Sequence, residues 1–98
     1  MTRLQIESDK RERVVVIIQA AISSEIKRLQ LGLAKTTRRI ERFEKEYSIS
    51  SDHFLRAYCA EDMKNGDEEY IQWAGELQMK ERIEEDLNNL MDIEYAAS

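Results

Sequence analysis

The chain has 98 residues, of which 36% are charged and 42% are hydrophobic, with 3 glycines and no proline. This length supports one small domain, and the hydrophobic content excludes a disordered tail. No window approaches ~18 uninterrupted apolar residues, which argues against a membrane span. A proline-free chain rich in Glu, Lys, Arg, Leu and Ile is typical of long helices and coiled coils.

The charge is unevenly distributed along the chain. Residues 1–49 hold 11 basic and 7 acidic side chains, whereas residues 50–98 hold 4 and 13. Two such halves attract each other when the chain folds back on itself. Charged residues come early in the sequence, before any continuous apolar stretch, so no secretory signal is predicted. A single cysteine, Cys59, suits a reducing compartment. We therefore expect a cytoplasmic protein.

A long first helix is predicted over about residues 9–47. Asp9 is a candidate cap, with Glu12 three residues later. Beyond it, apolar side chains recur at steps of three and four with one gap at Thr36, and Gly32 lies inside the pattern. The residues on this helical face are Val15, Ile18, Ile22, Ile26, Leu29, Leu33, Ile40, Phe43 and Tyr47.

One run in this helix has no polar face. It consists of Val14, Val15, Val16, Ile17 and Ile18. Because all five side chains are β-branched, a short buried strand is an alternative to helix here.

Serines and Asp52 interrupt the pattern after Tyr47, because these residues favour caps over helix interiors. A short helix is predicted over about residues 52–64. Gly66 then supplies a left-handed residue, and a third helix is predicted over about residues 67–94. Its apolar residues are Tyr70, Trp73, Leu77, Ile83, Leu87, Leu90 and Met91.

The predicted fold is all-α: a long, coiled-coil-like antiparallel hairpin with a short corner helix. Aromatic side chains bury the most area per residue and are expected to fill the corner. These corner residues are Phe43, Tyr47, Phe54, Tyr58, Tyr70 and Trp73. Placing Tyr47 opposite Tyr70 sets Phe43 opposite Trp73 or Ala74, Leu29 opposite Leu87, Ile26 opposite Met91, and Thr36 opposite Lys80.

The same register leaves the beginning of the first helix without a partner in its own chain. Exposure of the apolar run would leave a sticky patch, so another chain is expected to cover it. A two-fold dimer that forms a helical bundle is the simplest closed solution, and binding of a different protein is the alternative. The predicted interface residues are Val14, Val15, Val16, Ile17, Ile18 and Ile22.

A stripe of basic residues is predicted on the side of the first helix opposite the apolar face. It comprises Arg28, Lys35, Arg38, Arg39 and Arg42. Such a stripe suits acidic partners or RNA phosphates, although a solvated helix face is the simpler explanation. With a single His53 and a single Cys59, the chain lacks the ligands of a zinc site and the partners of a Cys–His nucleophile. No metal, cofactor or catalytic residue is predicted.

Two motifs invite comparison with known families. Phe43-x-x-x-Tyr47, then Ser50-Ser51 and Phe54, then Gly66-Asp67-Glu68-Glu69-Tyr70-x-x-Trp73-Ala74-Gly75 resemble a family of small helical proteins often encoded beside TumE-type nuclease-like toxins. The resemblance covers about residues 40–91. It implies an antitoxin partner that neutralises a toxin by protein–protein binding, without catalysis.

Trp73-Ala74-Gly75 also matches the W-x-G signature of secreted helical hairpins of the type VII substrate family. In that family the motif lies at the central turn and precedes Y-x-x-x-D/E. Here it lies inside helix-forming sequence, and Tyr58-x-x-x-Asp62 comes before it. An antitoxin-like interaction protein is therefore the leading hypothesis, with an RNA-binding helical protein and a secreted hairpin as alternatives.

Overall fold

The computed structural model describes residues 2–57 and 66–97, with side chains described for 9–57 and 66–96. These residues form three helices and no strand: α1 (Thr2–Tyr47), α2 (Ser51–Ala57) and α3 (Gly66–Ala97). α1 and α3 pack along each other as a hairpin, and the described residues contain no helix long and apolar enough to cross a bilayer. The predicted all-α hairpin with a short corner helix is confirmed.

The helix boundaries differ from the predicted ones mainly at the start. α1 begins at Thr2, not near residue 9, so Asp9 lies inside the helix and caps nothing. Without glycine or proline in this stretch, nothing forces the helix to begin later. α3 extends from Gly66 to Ala97, a few residues beyond the predicted range. The predicted second helix agrees over residues 52–57, and its remainder, 58–64, lies outside the described residues.

The apolar run at residues 14–18 is helical, which excludes the strand alternative. β-branched residues cost only a few tenths of a kcal/mol each in a helix. Strong helix formers on both sides, and the absence of a strand among the described residues to pair with, outweigh that cost.

The hairpin is narrow and elongated. It measures 73 × 20 × 17 Å, and its radius of gyration is 21.0 Å, against about 13 Å for a compact domain of this size. Its central core holds Ile26 and Leu29 of α1 against Ile83 and Leu87 of α3. The partly buried side chains around that core are Ile22, Leu33 and Leu90.

The contacts follow the predicted antiparallel register. Leu29 and Leu87 share the central core, and the rings of Phe43 and Trp73 stack. Near the other end, the Ser23 hydroxyl donates a 2.8 Å hydrogen bond to Glu94. The helices therefore keep one register from the corner to the end of α3.

Met91 departs from this register. It was predicted to pack against Ile26 but is 49% exposed, whereas the neighbouring Leu90 packs on the core. Adjacent residues on a helix point about 100° apart, so only one of the two can face α1.

Gly32 lies mid-helix opposite Ile83, and a Cβ built there would meet the Ile83 Cδ1 at 3.6 Å, an ordinary van der Waals contact. Gly32→Ala is therefore expected to stabilise the fold by about 0.5–1 kcal/mol, since alanine has the better helix propensity and fits the space. Chemical denaturation measures the change. A loss of stability would contradict the observed helix spacing.

Candidate protein-interaction surface

The closed end of the hairpin is filled by stacked rings. Phe54 and Trp73 are both 0% exposed, with ring centroids 4.0 Å apart and planes 7° apart. Phe43 and Tyr47 stack on the same indole at 5.5 and 5.9 Å, and Tyr70 contacts Phe54 at 5.2 Å. Five of the six predicted corner residues are thus brought together.

Tyr58, the sixth predicted corner residue, lies outside the described residues.

Two polar side chains that the sequence analysis missed, those of Ser51 and Glu44, complete the corner. The indole N–H of Trp73 donates to Ser51 Oγ at 3.0 Å, and the Ser51 hydroxyl donates to Glu44 Oε2 at 2.8 Å. The Ser51 backbone N–H donates to the same carboxylate oxygen at 2.9 Å. The buried tryptophan therefore keeps its hydrogen bond, which ties α3 to α1 through α2.

The turn between α1 and α2 is defined by backbone geometry. Ser48 has a φ of 56°, and the Ile49 N–H donates to the Glu44 carbonyl at 3.2 Å, as in a Schellman motif. Ser50 caps α2, because its Oγ accepts the His53 backbone N–H at 3.1 Å. The serine-rich segment is a structural corner.

Ser48→Gly should stabilise the fold by about 0.5–1 kcal/mol, because a non-glycine residue is strained in the left-handed region. The matched control is Ser24→Gly, an exposed position within α1, which should cost about the same amount. Urea denaturation of both variants measures this. Equal destabilisation of both variants would mean that Ser48 is not left-handed in solution.

The predicted basic stripe lies elsewhere than expected. Arg28, Lys35, Arg39 and Arg42 line a groove beside α3, whereas Arg38 is exposed and outside it. The prediction that the stripe lies opposite the apolar face is therefore wrong. α3 packs against one edge of the apolar face of α1. The basic residues of α1 that flank this edge therefore lie next to α3.

Two of these cations already have acidic partners. Arg39 Nη1 lies 2.9 Å from Glu76 Oε1 on α3, which agrees with the attraction expected between the two halves. Arg28 donates to both oxygens of Glu25 at 2.5 and 2.7 Å. This hydrogen bond lowers the pKa of Glu25 and raises the pKa of Arg28. Both groups are in solvent, so the pair adds little to stability.

The open end of the hairpin, where α1 begins and α3 ends, is apolar and exposed. Residues 14–18 are between 46% and 66% exposed, because α3 is 32 residues long against 46 for α1 and ends before reaching them. Ile22, the other predicted interface residue, is partly buried against the central core.

The end of α3 adds apolar surface that the sequence analysis did not assign. Met91, Ile93 and Tyr95 are 49%, 52% and 85% exposed on the helix that ends beside the apolar run. Ile93 and Tyr95 fall outside the apolar pattern predicted for this helix, whereas Met91 belongs to it but was expected to pack against Ile26. Residues 14–18 and these three side chains are here called the open-end surface.

The other residues and the motif singled out in the sequence lie as follows. Within 2–57 and 66–97, no cluster of three or more His, Cys, Asp or Glu side chains could hold a metal ion. His53 lies exposed on α2, and Cys59 falls outside the described residues. The W-x-G motif lies within α3 and not at a turn.

The fold and surface define a class: a two-helix hairpin, closed by an aromatic corner and apolar at its open end. Comparison with protein-family models, curated proteins and solved structures found no match to the chain.

Proposed function

We propose that this chain is a non-catalytic protein-interaction module, the antitoxin-like partner of a small toxin, and that it binds through the open-end surface. The observation that carries the proposal is the exposure of residues 14–18 beyond the end of α3. A soluble chain rarely leaves a long apolar run uncovered unless another molecule binds there.

The resemblance of residues 40–91 to proteins encoded beside TumE-type toxins is the reason for proposing a small toxin as the partner. Those residues include the aromatic corner, which holds α1 and α3 in fixed register. A rigid hairpin presents its open end without a large ordering cost on binding, which favours affinity.

RNA binding by the basic stripe is less favoured. Arg28 and Arg39 are already paired with carboxylates, and Glu46, Glu76 and Asp86 line the same groove. Phosphates would therefore meet acidic groups as well as cations, which weakens the electrostatic attraction that RNA binding depends on.

Titration of the full chain with a purified TumE-type toxin, followed by calorimetry, tests the proposal. We expect a complex that persists at raised salt, weakens at least about tenfold in Ile17→Asp and is unchanged in Arg38→Glu. Absence of binding, or loss of binding in Arg38→Glu alone, would contradict it. RNA binding that falls steeply with salt would favour the alternative instead.

A further inference from the structure

A long groove runs between α1 and α3, from the aromatic corner to the central core. Along α1 it extends from Arg28 to Glu46, about 27 Å at 1.5 Å per residue. On α3, the exposed side chains of Ile71 and Met79 lie one turn before and one turn after Gly75. The buried or half-buried residues of the floor are Leu29, Thr36, Phe43 and Ile83. A mainly apolar groove of this length has the shape that receives an amphipathic helix of a partner.

Two glycines line the groove, and packing within the chain requires neither of them. A Cβ added at Gly75 would meet nothing within 4 Å, and one added at Gly32 would make only an ordinary contact with Ile83. Glycine inside a helix is nevertheless less favourable than alanine, because it loses more backbone freedom on folding. The missing Cβ atoms leave room for another backbone to come close, so both glycines favour an occupant that the single chain does not supply.

The floor of the groove holds a polar group without a partner. Thr36 is only 5% exposed, yet its hydroxyl forms no hydrogen bond with a described residue. Hydroxyls in such buried side chains are normally paired, because an unpaired one loses water and gains nothing in return. Among the described residues, no side-chain oxygen is both sealed from solvent and unpaired, so this hydroxyl is reached from the groove that it lines. It is therefore placed to pair with a polar group of a bound molecule.

The middle of the groove is positively charged. Lys35, Arg42 and Arg82 line it, and none of the three forms an ion pair with a described residue. Arg39 is already neutralised by Glu76. The other acidic lining residues lie toward the two ends of the groove: Glu46, Glu69 and Asp86. Carboxylates in the middle of an occupant would match these cations, whereas RNA phosphates, spaced along the whole length, would also meet the acidic ends.

We infer that this groove binds an amphipathic helix of another protein, with apolar side chains toward the floor and carboxylates in its central turns. One carboxylate accepts a hydrogen bond from the Thr36 hydroxyl, and others pair with Lys35 and Arg82. Gly32 and Gly75 let the backbone of the bound helix approach. The groove is a different surface from the open-end surface, and it is tested without a toxin, so this inference and the proposed function can fail separately.

The probe is an alanine-based helical peptide of 18 residues, about the length of the groove. It has leucine at every third or fourth position and glutamate beside that face in its two central turns, and the reference peptide has glutamine instead. Fluorescence anisotropy of the labelled peptides, titrated with the full chain, measures binding. We expect the glutamate peptide to bind at least about tenfold more tightly, although the net charge of the chain, -5, opposes it.

Groove variants locate the binding site. Gly75→Leu should weaken binding of the glutamate peptide at least about tenfold, because its side chain occupies the groove, while the open space there lets the chain fold. The matched control is Asn88→Leu, at an exposed position of α3 outside the groove, which should bind normally. Lys35→Glu should also weaken binding, whereas Arg38→Glu, outside the groove, should not.

Thr36→Val separates a binding role from a structural one. Valine fills nearly the same space without an unpaired hydroxyl, so the urea midpoint of the free chain should rise. Binding of the glutamate peptide should weaken in the same variant, because the peptide loses a hydrogen bond to a charged group. A hydroxyl that only supports the fold would lower the urea midpoint instead, and that result would contradict its role in binding.

Failure of both peptides to bind, equal affinity for the two peptides, or binding that survives Gly75→Leu would overturn the inference. Single-stranded RNA that binds the chain and is lost in Lys35→Glu would also overturn it, because the occupant would then be a nucleic acid. The same holds for a dimer of the chain that Gly75→Leu dissociates, since a second copy would then fill the groove.

Discussion

Trp73→Ala is expected to destabilise the protein by about 3–5 kcal/mol, the range for removing a fully buried large aromatic side chain. The substitution removes the ring that stacks with Phe43 and Phe54, and it leaves Ser51 without its indole donor. Thermal and urea denaturation, followed by circular dichroism, measure the loss.

Ile71→Ala is the matched control, since this side chain lies two residues away on α3 and is 66% exposed. We expect a change within about 0.5 kcal/mol there. Similar effects for the two substitutions would show that the aromatic corner is not closed in solution. Trp73→Phe should fall between them, because it keeps a ring but loses the hydrogen bond.

Leu87→Ala should cost about 2–5 kcal/mol, because Leu87 is buried in the central core against α1. Met79→Ala on the same helix, where the side chain is 49% exposed, should change stability much less. Both are measured by urea denaturation at equal chain concentration, because a dimer makes apparent stability depend on concentration. A small effect of Leu87→Ala would contradict close packing of α1 on α3.

The spacing of apolar residues predicted the hairpin and its register well. Steps of three and four place Leu29 and Phe43 on one face of α1, and antiparallel pairing then matches them with Leu87 and Trp73. These contacts depend on hydrophobic periodicity, which a single sequence records directly.

Other features depend on tertiary geometry and could not be found this way. The hydrogen bonds between Ser51, Glu44 and Trp73 join three helices, and no local pattern specifies them. The predicted start of α1 was wrong, because a capping sequence is a weak signal inside a stretch of good helix formers. The basic stripe was predicted on the wrong side of α1. The spacing of residues along a helix gives the angle between their side chains but does not show on which side α3 packs.

The central claim is that another protein chain covers the open-end surface. Amide hydrogen exchange at residues 14–18, measured against the concentration of a TumE-type toxin, tests it most directly. We expect protection that rises with toxin concentration toward that of Ile26 and Leu29, and that disappears in Ile17→Asp. Rapid exchange at residues 14–18 at every toxin concentration would contradict the claim.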